Sequence, residues 1–190
     1  MTELGQSKQQ HVLQVSLPVT IRPAKLQDIV RLEWHGQFHH LRNLFRRSYR
    51  EQQAGRRLLL IAAVDEYPIA RLFLQWVSSN LTLADGHTRA YLYSFQVHEM
   101  LQGRGIGTAL LQEAEARIRA RHYREILIAV AKENPRAQML YQRLGYRVIR
   151  DDPGEWNYVD HNGVVRYVAE PCWIMEKRLL RARQEESHLQ

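Results

Sequence analysis

The apolar positions change period several times along the chain, and each change marks an element. "VTIRPAKLQDIVRLEWH" opens on a short β-like run. Behind Pro23, the residues Leu26, Ile29, Val30 and Leu32 then fall at helical spacing, which predicts a helix with those residues on its apolar face. "GQFHHLRNLFRRSYREQQAG" predicts a second helix, with Leu41, Leu44 and Phe45 inward and Gly55 as its stop. Two apolar runs, "RLLLIAAV" and "IARLFLQWVSS", flank "DEYP" and predict a hairpin. "DGHTR" leads into "AYLYSFQV", a third long strand. Ile106, Leu110, Ala114 and Ile118 recur every fourth residue, so a helix is expected from about Ile106 to Arg121. "EILIAVA" reads as a strand. "NPRAQMLYQRLG" reads as a short helix, with Asn134 as N-cap, Pro135 in the first position and Gly145 beyond the end. "YRVIR" is another strand. Asn162-Gly163 is a tight-turn signal between two β-rich runs, and "CWIMEKRL" closes the pattern as a strand.

This order of elements predicts an α/β layer arrangement around a mixed, largely antiparallel sheet. No repeat or linker interrupts it, and 190 residues suffice for one domain with a real core. Residues 18–180 are expected to form that domain, with flexible tails at 1–17 and 181–190. No apolar run approaches the length of a membrane span. The opening stretch lacks the basic start and apolar core of a signal peptide, and Cys172 is the only cysteine, so a cytoplasmic location is expected.

Charge narrows the ligand. The net charge is +7 and the pI about 9.8, which suits an anionic partner. The densest basic cluster, "RNLFRRSYREQQAGRR", reads as the solvated side of an amphipathic helix. No recognition motif accompanies it, so no nucleic acid is expected as partner.

The candidate anion site is "VHEMLQGRGIGTALLQEAEARI". Gly103, Gly105 and Gly107 crowd the junction between a strand and a helix. Glycine there relieves backbone strain, and it also lets an anion approach the unpaired N–H groups of a helix start. The P-loop pattern G-x-x-x-x-G-K-[ST] is absent. The dinucleotide pattern G-x-G-x-x-G also fails, because its last glycine falls on Thr108 or Leu110. What fits is Q-x-x-G-x-G, at Gln102, Gly105 and Gly107.

That phrase resembles the acyl-CoA pyrophosphate loop of the GCN5-related N-acetyltransferases, the GNAT superfamily. Glu99 departs from the proline many members carry. "AKENPRAQMLYQRLGYRV" is similar to a second family landmark, N-x-x-A-x-x-x-Y-x-x-x-G-[FY], matched by Asn134, Ala137, Tyr141, Gly145 and Tyr146. "TIRPAKLQDIVRL" looks like the family's opening strand and helix. The resemblance covers roughly residues 18–180. It implies a central sheet flanked by helices on both faces, and acetyl-CoA as co-substrate without a metal. It implies a pyrophosphate cradle from Gln102, Gly103, Arg104, Gly105, Ile106, Gly107 and Thr108, with Asn134 and Tyr141 also at the cofactor. The central strand is expected to splay from its neighbour at a bulge, so that the backbone of Gln96 and Val97 pairs with the pantetheine arm. An N–H at Val97 would then polarise the thioester, and Tyr141 would be the general acid for the departing thiolate.

The expected reaction is direct transfer of an acetyl group to a primary amine in a ternary complex. The acceptor is a small molecule or a peptide, and a homodimer is left open. A non-catalytic acyl-CoA sensor is the competing class. "YLYSFQV" holds no carboxylate, so Glu33, His98, Glu99 or a water held by Tyr93 or Ser94 are the candidates for the base. Asp151, Asp152, Glu155 and Asp160, interleaved with Trp156 and Tyr158, suit a cationic amine. His35 and His39 have the i, i+4 spacing of metal ligands without the supporting Glu, and Cys172 reads as a core residue.

Overall fold

A computed structural model describes residues 16–179; residues 1–15 of the expected N-terminal tail, the last residue of the expected domain and the whole expected C-terminal tail lie outside the described residues. The chain builds β1 (Val19–Pro23), α1 (Asp28–Arg31), α2 (Arg42–Gln53), β2 (Arg57–Val64), β3 (Tyr67–Gln75), β4 (Arg89–Val97), α3 (Ile106–Ala120), β5 (Glu125–Ala131), α4 (Pro135–Arg143), β6 (Arg147–Asp152), β7 (Glu155–Val159), β8 (Val165–Ala169) and β9 (Cys172–Arg178). Seven strands form one sheet in the order β1-β2-β3-β4-β5-β9-β6, and β7 and β8 pair as a separate hairpin. Only β4 and β5 run parallel; the other pairs in the sheet are antiparallel.

Helices cover both faces. On one, Phe45 of α2 and Ile29 and Leu32 around α1 pack on Leu59, Ile61 and Phe73. On the other, Leu110, Leu111, Ala114 and Ile118 of α3 pack on Leu60, Leu72, Leu92 and Ile128. Strand β3 is buried on both sides, which is why its sequence reads as a continuous apolar run.

The first helix is shorter than its pattern predicts. Pro23 ends β1, and α1 is a single turn. Ile29 and Leu32 face inward, but Leu26 is 69% exposed and Val30 is 62% exposed. The helix stops because the chain enters left-handed backbone at Trp34, His35 and Gly36. Tertiary contacts hold that turn: Trp34 donates from Nε1 to the Pro68 carbonyl (2.9 Å), and Arg42 forks onto Glu33 (2.6 and 2.8 Å). The second predicted helix likewise starts later. A 3-10 turn at His39–Leu41 precedes α2, and Leu41 and Leu44 are half-buried. Gly55 ends it in left-handed backbone, as expected.

One buried carboxylate ties α3 to the sheet. Glu115 accepts from Lys177 Nζ (2.7 Å to each oxygen), from the Tyr146 hydroxyl (3.3 Å) and from Arg119 (3.1 Å). Glu115→Ala leaves these groups facing a void, so a loss of about 3–5 kcal/mol is expected. Urea unfolding measures it, and a change below about 1 kcal/mol would show that water replaces the carboxylate.

Candidate active site

The site grows from a fault in the central strand. Strand β4 pairs with β5 only from Arg89 to Leu92, and then the two part. Along the same strand the register against β3 slips: Phe73 faces Tyr93, but Arg71 faces Gln96. One extra residue is therefore accommodated on β4, and Ser94 takes it up with φ +51°. Beyond this bulge the His98 N–H donates to the Ile69 carbonyl (2.8 Å). By the alternation of an antiparallel ladder, the Val97 N–H is turned the other way, into the space between β4 and β5. The Val97 carbonyl on that side accepts from Gln102 Nε2 (3.1 Å).

A groove of about 640 Å³ occupies this space. Gln96 and Val97 form one wall. Gln102, Gly103, Gly105, Gly107 and Thr108 form its rim at the start of α3. Asn134 and Tyr141 of the α4 segment close the other side. Of the residues implied by the sequence, Arg104 and Ile106 are not in its lining. Gly105 caps α3 at φ +81°, and Gly103 lies at φ +76°, a conformation side chains rarely adopt. The N–H groups of Ile106, Gly107 and Thr108 begin the helix and lack intrahelical partners. A Cβ at Gly107 would meet Phe95 Cζ at 3.3 Å, so any other residue there would have to push the Phe95 ring aside by a few tenths of an ångström. These features fit a pyrophosphate: bare backbone donors, a favourable dipole, and no side chain in the way. Asn134 caps α4 by accepting from the Ala137 N–H (3.0 Å).

Tyr141 is buried, at 5% exposure, yet lines the groove. Its ring packs against Phe95 (6.2 Å) and Tyr146 (5.9 Å). Burial pushes its phenol above the usual tyrosine range, so it keeps its proton at neutral pH.

The sequence profile of the Acetyltransferase (GNAT) family matches residues 25–146. The chain belongs to the GNAT acetyltransferase family. Among curated proteins, YxbD of Bacillus subtilis (strain 168) is 39% identical over 51 residues, a stretch covering 27% of this chain and 32% of YxbD. The ribosomal-protein-S18-alanine N-acetyltransferase of Escherichia coli superposes with a TM-score of 0.63 at 19% identity, over 88% of this chain and 98% of that one. The PaiA N-acetyltransferase of Thermoplasma acidophilum, solved in complex with coenzyme A, gives a TM-score of 0.61 at 18% identity, over 86% and 100%. At these identities the likeness to solved structures is one of fold.

Within this GNAT domain the groove lining includes residues not anticipated from the sequence, Glu170 and two arginines among them. Arg136 and Arg143 lie seven residues apart on α4, two helical turns, and both line the groove. Arg136 donates to Gln102 Oε1 (3.4 Å), which carries its charge to the glycine rim. The arginines' spacing from each other, seven residues on one helix, was the available signal.

Several other candidates take structural parts. Glu33 is locked to Arg42, whose hydrogen bonds hold the carboxyl below its usual range, and this makes it a poor base. Glu99 is exposed, and His98 lies half-buried at the end of β4 against Trp34 (5.4 Å). Tyr93 is occupied by Arg57 and Ser48. Asp160, at 2% exposure, accepts from Arg166 (2.8 Å) and from the Asn162 and Val164 N–H groups, so it builds the β7–β8 turn. Asp152 accepts from the Gly154 N–H (2.9 Å) and Asp151 lies 3.6 Å from Lys132. The acidic stretch therefore does not converge on one amine pocket. His35 stacks on Tyr67 and His39 on His161, not on a shared ligand axis, and the described residues hold no group of three or more metal-ligating side chains. Cys172 is buried and its thiol is pushed up by burial, which removes the thiolate a nucleophile needs. No helix among the described residues is long and apolar enough to cross a membrane.

Proposed function

We propose that the protein transfers an acetyl group from acetyl-CoA to a primary amine by direct attack within a ternary complex. One observation carries this reading: the parting of β4 and β5 brings an outward-facing Val97 N–H, a glycine turn and Tyr141 onto a single groove. Acetyl-CoA, when bound, supplies the activated acyl group. The Gln102 N–H is taken by the Glu99 carbonyl (3.2 Å), so the N–H groups from Gly103 to Thr108, with Arg136 and Arg143, hold its phosphates. By the alternation of the ladder Gln96 turns its own backbone groups to β3 and only borders the arm, while Val97 faces the arm as a neighbouring strand would, and its N–H donates to the thioester oxygen as negative charge develops there.

The acceptor nitrogen forms the new C–N bond as the C–S bond breaks. Its surplus proton leaves through His98 or water, and Tyr141 donates to the sulfur. Because burial raises the phenol's pKa, its contribution is a hydrogen bond that strengthens as thiolate character grows. The acceptor enters from the side of the 34–41 loop and the β7–β8 hairpin. These segments meet through the His39–His161 stack (4.2 Å) and a hydrogen bond from Asn43 to the Asp160 carbonyl (2.6 Å).

Coenzyme A at a hundred times its Kd is expected to stabilise the fold by about 2.7 kcal/mol, or roughly 5–10 °C in Tm for a chain this size. The measurement is a thermal melt with and without cofactor, followed by a thiol-release assay across an amine panel. A melt that does not move at saturating cofactor would sink the proposal.

A further inference from the structure

Arg71 is among the largest fully buried side chains of the described residues, at 2% exposure. Burial pushes its guanidinium down to about 9, and no carboxylate among the described residues offsets that cost. The charge is held instead by dipoles and ring faces. Nε donates to Ser94 Oγ (3.3 Å), Nη2 to Gln96 Oε1 (2.7 Å) and Nη1 to the Leu32 carbonyl (3.4 Å). The rings of Phe38, Trp34 and Phe45 lie 4.1, 4.9 and 5.1 Å from Cζ.

Stability alone gives no reason for such an arrangement. A buried ion replaced by an apolar side chain of similar volume often leaves a fold as stable or more so. The placement supplies a reason. Arg71 faces Gln96 across the ladder, at the point where the β3–β4 register slips. Its fork grips both flanks of the bulge: Ser94, the residue in left-handed backbone, and Gln96, the first residue beyond it. A serine at positive φ costs about 1–2 kcal/mol and persists only where its surroundings impose it. The third bond ties the clamp to the end of α1. A lysine has no fork and cannot serve three separated acceptors at once.

We propose that Arg71 is a positioning residue for acyl transfer: its guanidinium holds the β4 bulge and thereby aims the Val97 backbone at the pantetheine arm. This rests on the acyl-CoA reading of the groove. Arg71 itself does not line that groove, and it acts only through the strand.

The test compares two ligands on Arg71→Met and Arg71→Lys. Adenosine 3′,5′-bisphosphate carries the phosphate end of coenzyme A and lacks the arm. Both variants should bind it as the wild type does, yet bind coenzyme A about tenfold more weakly, the net worth of about one hydrogen bond. With a confirmed acceptor, kcat should fall by about 10²-fold, the cost of a misplacement of about 1 Å. Amide hydrogen exchange at Gln96 and Val97 should speed up. Should Arg71→Met fail to fold, Arg71→Lys retains the charge and carries the test. Adding Gln96→Ala to Arg71→Lys should cause little further loss, because both changes release the same clamp. Equal weakening of the two ligands, unchanged coenzyme A affinity, or additive losses would each overturn the proposal. A defect confined to KM for carboxylate-bearing acceptors would overturn it too, by making Arg71 an anion anchor. A wild-type protein that binds neither ligand would instead remove the groove reading itself.

Discussion

Gly105→Glu is expected to abolish coenzyme A binding while leaving a folded protein. The position caps α3 in left-handed backbone, and any side chain there costs about 1–2 kcal/mol of strain. A domain of ordinary stability, about 5–15 kcal/mol, survives that loss. An added Cβ would meet nothing within 4 Å, so the new side chain has room and does not disturb the core. It does occupy the space where the helix start exposes its N–H groups. Strain and bulk are common to Gly105→Gln, so the pair separates charge from shape. A carboxylate about 4 Å from a phosphate oxygen is repelled by about 1 kcal/mol in bulk water and about 4 kcal/mol near a protein surface. Glutamate should therefore bind coenzyme A more weakly than glutamine by about fivefold to 10³-fold. Isothermal titration of both variants, with circular dichroism to confirm folding, makes the comparison. Equal affinities for the two would move the phosphate site away from the start of α3.

The cradle was legible in the sequence because its physics is local. Glycines between a strand and a helix, with Gln102 three residues before Gly105, determine a backbone that needs no distant partner to be recognised. The same holds for α4, where Asn134, Pro135 and Gly145 mark cap, first turn and stop, and all three do so in the structure. The first helix shows the opposite case. Leu26, Ile29, Val30 and Leu32 have helical spacing, but the segment is ended by contacts outside it, from Trp34 to Pro68 on β3 and from Glu33 to Arg42 on α2. Periodicity cannot carry that information, and tertiary packing overrode it. Arg71 is a third kind. It was visible only as a charge inside the apolar run "IARLFLQ", and an interior strand buried on both faces gives no alternation by which to place it. Its meaning depends on a register slip between two strands, which no single-strand pattern records. The acidic stretch from Asp151 to Asp160 shows a related limit of composition. Composition grouped four carboxylates, and the hairpin turn then spent Asp160 on its own backbone.

Tyr141→Phe should separate chemistry from packing. The ring sits between Phe95 and Tyr146, and phenylalanine fills the same space. Tm should move by no more than about 2–4 °C, the shift that about 1 kcal/mol produces in a chain this size. Only the hydroxyl is lost, and with it the proposed donor to the departing sulfur. Acid assistance of this kind is worth about 10²–10⁴-fold in rate. The loss should fall on kcat and leave the Kd for coenzyme A near its wild-type value, because the hydrogen bond strengthens only as charge builds on sulfur. The pH dependence adds a signature. An acid is effective while protonated, so its rate limb falls as pH rises through its pKa. Burial raises that pKa above the usual tyrosine value of about 10, so Tyr141 imposes no alkaline fall between neutrality and about pH 10. Any such fall seen in the wild type should persist unchanged in Tyr141→Phe, since another group causes it. The measurements are kcat with a confirmed amine acceptor, cofactor Kd and a pH profile, all on one preparation of each protein. Wild-type turnover in the variant would strip Tyr141 of its catalytic part. A weakened Kd with unchanged turnover per bound cofactor would make it a binding residue, packed against the arm by the same ring contacts that hold it beside Phe95.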